Sequence, residues 1–124
     1  MVPFVAAVAA GVRSVMTAHI VVPALDDEPA TFSSRILQGL LRDELGFQGV
    51  IVTDALDMAG ASADRGIPAA AVAALQAGAD FLCIGPHNTE DQVREIVAAI
   101  DAAVASGERA VRSVVAEAAT RVRR

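Results

Sequence analysis

A chain of 124 residues, 54% apolar and 20% charged, is long and apolar enough to bury a core. A net charge of −5 and a pI near 4.8 argue against nucleic acid as a partner. No apolar run reaches the ~20 residues of a membrane-spanning helix, and the single cysteine, Cys83, allows no internal disulfide.

Val2–Ala10 reads as a helix; its apolar run lacks the basic leading region of a signal peptide. Ser14–Ala18 reads as a strand, followed by a long loop, Val21–Thr31. Ser33 or Ser34 then caps a helix whose apolar face is Ile36, Leu37, Leu40, Leu41 and Leu45, with Arg42, Asp43 and Glu44 largely off that face. Val50–Thr53 is a strand, Ala55–Ile67 a second long loop, and Pro68 opens an alanine-rich helix to Ala77. Phe81–Ile84 is a third strand, with Cys83 a core residue within it. Thr89 and Gln92 form a capping box for a helix to about Ala105. Ser106-Gly107 breaks that helix, and a basic helix runs from Glu108 toward Arg124, its arginines a solvated end that complements the helix dipole. With no low-complexity linker, residues 1–124 read as one unit.

The three strands share a spacing. Gly11 precedes His19, Gly46 precedes Asp54 and Gly78 precedes Pro86 by eight residues each, with His87 next. Each unit reads as a helix stopped by glycine, a tight turn, a strand and a polar loop. Val50-Ile51-Val52 is apolar without alternation, the signature of a strand buried on both faces. Parallel strands with helical crossovers follow, and their carboxyl ends are where chemistry is placed. Asp54 stands at such an end.

Other residues near these ends have plainer readings. Asp57 reads as a loop cap, and Asn88 as the residue closing the turn after His87. Asp26-Asp27-Glu28 lacks the glycine and spacing of a calcium loop and reads as a solvated loop, so no metal is implied. Arg35 and Arg65 are surface arginines by default.

Val15-Met16-Thr17-Ala18-His19-Ile20 and the run from Leu41-Arg42-Asp43-Glu44-Leu45-Gly46-Phe47 through Gly49-Val50-Ile51-Val52-Thr53-Asp54 to Met58 resemble glycoside hydrolase family 3. The resemblance is to its bacterial β-N-acetylglucosaminidase branch, and covers about residues 3–105. It implies an α/β fold, a partial (β/α)8 TIM-type barrel supplying the last three parallel strands with their helices. It implies a retaining glycosidase without cofactor, acting on a terminal β-linked N-acetylglucosamine or related glycoside. Asp54 matches the nucleophile; His19 and Met58 are the candidate substrate-binding residues.

The chain departs from the family pattern in two ways. It contains no lysine, and no loop reading like Lys-His-Phe-Pro-Gly-His-Gly, where the branch carries its acid/base histidine. The expectation is therefore the C-terminal part of a catalytic barrel, inactive alone, that self-associates or pairs with a missing half through open strand edges. A non-catalytic half-barrel is the alternative. A receiver-like phosphoacceptor domain also puts an aspartate at a strand end, but needs a lysine this chain lacks.

Overall fold

The computed structural model describes residues 1–106 and 109–123, so Gly107 of the expected helix break and the helix limits at Glu108 and Arg124 lie outside the described residues. In chain order come helix α1 (Val2–Ala9), strand β1 (Ser14–Met16), strands β2 (Val21–Val22) and β3 (Asp26–Pro29), and a 3-10 turn (Ala30–Phe32). A π-helix (Arg35–Glu44) leads to strand β4 (Val50–Val52). Helices α2 (Ala59–Ser62), α3 (Ile67–Ala77), α4 (Glu90–Ala105) and α5 (Arg109–Val122) complete the chain.

β1 and β4 pair in parallel with Ser14 opposite Val50, Val15 opposite Ile51 and Met16 opposite Val52. Thr17 N–H carries the ladder one step further, to the Val52 carbonyl at 2.8 Å. The other edge of β4 meets the third segment in one parallel bridge, Val52 to Phe81. The expected strand Phe81–Ile84 is thus shorter than its apolar run. Beyond the bridge a side chain replaces the ladder: Cys83 N–H donates to Thr53 Oγ1 at 2.9 Å. Cys83 itself is only partly buried.

Both long loops contain structure. β2 and β3 form an antiparallel hairpin within Val21–Thr31, and α2 lies within Ala55–Ile67. The capping box is present in full, with Thr89 and Gln92 each accepting from the other's backbone N–H. Ser34 holds the N-cap position of the π-helix without a side-chain bond; the preceding Ser33 supplies it, its Oγ accepting from Ile36 N–H at 3.1 Å while donating to Asp26 at 2.5 Å. That hydroxyl holds the Asp26 carboxyl below the usual carboxylate range.

Two apolar clusters flank β4. Leu37, Leu41, Phe47, Ile51, Ala74, Ala77 and Ala79 form one, and Leu56, Ala61, Ala70, Ala71 and Ile96 the other. α3 serves both, and its alanines let it approach α4 closely. Ile51 is fully buried, worth roughly 1.5–3 kcal/mol for its side chain alone. α3 ends at Gly78, whose φ of 112° is a left-handed backbone that an L side chain adopts only under strain.

Arg42 does not stay off the apolar face. In an i→i+5 helix, residues four and five apart share a side, which brings Arg42 round to join Leu37 and Leu41. Its Nη2 donates to Asp80 at 2.5 Å, and its Nη1 to the carbonyls of Phe47 (2.9 Å) and Gly49 (2.7 Å). Burial pushes its guanidinium below the ordinary pKa, against the pull of Asp80. Asp80 also accepts from Ile51 N–H at 2.8 Å and from Arg121 at 2.9 Å. Arg121 is therefore not simply a solvated helix end: it ties α5 to the core.

The side chain of Asp80 is fully buried between two arginines. Asp80→Ala leaves both guanidinium groups without their carboxylate and is expected to cost about 3–5 kcal/mol in urea unfolding. Arg94→Ala, which breaks only exposed pairs with Glu90 and Asp91, is expected to change stability by about 0–1 kcal/mol.

Candidate active site

Asp54 stands two residues past the end of β4 and is half-buried. Its Oδ1 accepts from Ala55 N–H at 2.8 Å, and its Oδ2 has no protein hydrogen bond among the described residues. One oxygen is thus fixed by the backbone and the other is open.

Thr53 does not reach Asp54. It is fully buried, and its hydroxyl is taken by the Cys83 backbone on the neighbouring segment. Leu56 N–H donates to the Cys83 carbonyl at 2.9 Å, so the loop after Asp54 is stitched to the third segment at both ends. Asp57 is pressed against Gly85, whose φ is +86° and whose missing Cβ would fall on the Asp57 carboxylate. Asp57 therefore packs across the loops instead of capping its own.

His19 follows β1 and lies on the same edge. Its Nε2 is 3.0 Å from the Ala55 carbonyl and its Nδ1 is 2.9 Å from Thr31 Oγ1, which bonds Thr17 Oγ1 at 2.8 Å. The spacing pattern that pointed to His19 and Asp54 thus brings them together through Ala55. Met58 is about half exposed at the start of α2. His87 is exposed in the turn beyond Gly85, where Asn88 Nδ2 donates to the carbonyls of Ile84 and Gly85.

The acidic run behaves as ordinary surface. Asp26 is held by Ser33, and Glu28 pairs with Arg65 at 3.6 Å. Arg65 is more than a surface arginine, because its guanidinium lies 4.3 Å over the Phe32 ring. No group of three or more metal-ligating side chains occurs among the described residues. Thr31 is the residue that sequence reasoning missed: it sat in an apparent loop, and only its complete burial marks it.

This arrangement of strand-end residues can be set against known proteins. The profile described as glycosyl hydrolase family 3 N terminal domain matches residues 1–124. The chain belongs to that family. A β-hexosaminidase of Stenotrophomonas maltophilia K279a is 44% identical over 84 residues, covering 68% of this chain and 25% of the relative. One from Thioalkalivibrio sulfidiphilus is 43% identical over 101 residues, 82% of this chain and 28% of the relative. Among solved structures, a family 3 β-N-acetylglucosaminidase from Paenibacillus sp. FPU-7 superposes with a TM-score of 0.83 at 40% identity, over 95% of this chain and 23% of that one. A β-N-acetylhexosaminidase from Beutenbergia cavernae gives 0.76 at 35%, over 96% and 35%. The chain spans about a quarter of the length of the curated relatives it matches. Its α/β fold is similar to that of the family's N-terminal domain.

Gly85→Ala forces a side chain into a left-handed backbone and into the Asp57 carboxylate. The expected outcome is a loss of about 1–3 kcal/mol in thermal or urea unfolding, with amide shifts concentrated at 54–58 and 83–88 in a two-dimensional NMR spectrum.

Proposed function

We propose that this chain carries the nucleophile end of a retaining β-N-acetylhexosaminidase barrel. The observation that carries the reading is Asp54: a carboxylate just past a parallel strand of which only Ile51 is fully buried, one oxygen tied to the backbone and the other open, in a family 3 chain. The partial barrel consists of β1, β4 and the Phe81 segment with their helices. Asp54 Oδ2 attacks the anomeric carbon of a terminal β-linked N-acetylglucosamine or related glycoside, forming a glycosyl ester as the bond to the leaving oxygen breaks. A general acid protonates that oxygen and then, as base, takes a proton from the water that hydrolyses the ester. Residues outside these 124 supply that group, since His19 has both ring nitrogens engaged. Met58 and His19 border the sugar, Met58 offering an exposed apolar side chain.

The names of the relatives support the substrate class, and the strand-end geometry supports the role of Asp54. The test is a chimera in which the part of the Paenibacillus enzyme that superposes on this chain is replaced by this chain. It is expected to hydrolyse 4-nitrophenyl N-acetyl-β-glucosaminide, and Asp54→Asn to lower kcat by on the order of 10³-fold or more. A chimera whose Asp54→Asn form keeps its rate defeats the proposal. The 124 residues alone are expected to show no turnover, since loss of general acid assistance costs on the order of 10²–10⁴.

We also propose that the open edges pair with other strands. Among the described residues β1 has one strand neighbour; Met16, Ile20 and Phe81 are more than half exposed, and Phe4, Val15, Met16, Ile36 and Leu40 line an apolar groove of about 310 Å³. Light scattering after size-exclusion chromatography is expected to show self-association of the isolated chain. A monodisperse monomer with a sharp thermal transition is the opposing result.

A further inference from the structure

His19 sits where a sugar-binding residue was expected, yet it has no free polar atom to offer. The Ala55 carbonyl can only accept a hydrogen bond, so Nε2, 3.0 Å away, must carry the proton. In the neutral ring Nδ1 then accepts from Thr31 Oγ1–H, which leaves Thr31 oxygen to accept from Thr17 Oγ1–H.

The ring is held on several sides. Thr31 is fully buried and Thr17 nearly so. Thr31 N–H is anchored on the Ala18 carbonyl at 3.2 Å and Ala30 N–H on that of Ile20 at 2.9 Å, fixing the threonine relative to β1. The imidazole stacks on Phe32 with centroids 6.2 Å apart and planes 13° from parallel, and the guanidinium of Arg65 lies over that same phenylalanine. At Gly60 a Cβ would come within 3.2 Å of the His19 Cβ, so α2 packs directly behind it. Such a ring is built to hold something in place.

What it holds is the residue that binds Asp54. The N–H of Ala55 donates to Asp54 Oδ1, and the carbonyl of the same residue is pinned by His19. We infer that His19 is a positioning residue: by clamping the Ala55 carbonyl it keeps the Ala55 N–H aimed at Oδ1 and leaves Oδ2 facing the sugar. This rests on the reading of Asp54 as nucleophile. The threonine pair is the buried end of the device, since it fixes which way Nδ1 faces and so which nitrogen meets Ala55.

The chain has only two histidines, so imidazole nitrogen NMR on the unmodified protein reads His19 directly. The neutral ring is expected as the Nε2–H tautomer. In His19→Phe, which keeps an aromatic ring beside Phe32 but no donor, amide exchange at Ala55 is expected to accelerate about tenfold, the size of one lost hydrogen bond. In the Paenibacillus chimera the same substitution should lower kcat about tenfold with KM within about twofold, and His19→Gln, which returns a donor near the Nε2 position, should recover most of the rate. An Nδ1–H tautomer, or a His19→Phe chimera whose KM rises at constant kcat, overturns the inference by itself. The tautomer measurement needs no variant, so it holds even where His19→Phe fails to fold. An Asp54→Asn chimera that stays active overturns instead the nucleophile reading beneath it.

Discussion

The carboxylate of Asp80 is the constraint on which the rest of the structure depends. It is fully buried and gathers the π-helix through Arg42, β4 through the Ile51 amide, and α5 through Arg121. A buried ion pair adds less net stability than well-packed apolar side chains in its place. Its consequence here is geometric. Asp80 opens the third segment, and its bond to Ile51 sets how far that segment slides along β4. A shift there would move the Cys83 backbone away from Thr53 and the loop after Asp54 away from its support.

Thr53 continues the task at the other end of β4. A regular ladder through residue 83 would have held the backbone after Asp54 extended. The threonine hydroxyl instead takes the Cys83 amide, so pairing ends at Phe81 and the chain turns at Ala55. The turn is closed from two directions, by Leu56 on the Cys83 carbonyl and by His19 on the Ala55 carbonyl. Asp54 therefore sits on a short backbone arc anchored to both neighbouring segments, and Gly85 admits Asp57 between the loops. Under the nucleophile role proposed for Asp54, such support matters because small displacements at a reacting atom cost rate steeply.

Much of this was legible in the residues. The glycine spacing, the unalternating Val50-Ile51-Val52 and the capping residues Thr89 and Gln92 are local signals, and each acts within a few residues of where it is written. They sufficed for the parallel pairing of β1 with β4, for α3 and α4 nearly residue by residue, and for Asp54 and His19 at one edge. The family motif from Leu41 to Met58 is local as well, and the family assignment agreed with it.

What the sequence could not state depends on partners far along the chain. Arg42 looked solvent-facing because an ordinary helical period was assumed; the wider π turn and Asp80, 38 residues on, draw it inward. The hairpin of β2 and β3 has short strands with irregular register, too brief for an alternating pattern to declare itself. Thr31 reads as a loop residue until burial places it against Thr17 and His19. The sequence by itself determined which residues come to one strand edge, because periodicity and glycine positions are properties of neighbouring residues. Tertiary structure alone decided which polar atoms meet there, because a hydrogen bond between His19 and Ala55 exists only once two separate strands lie side by side.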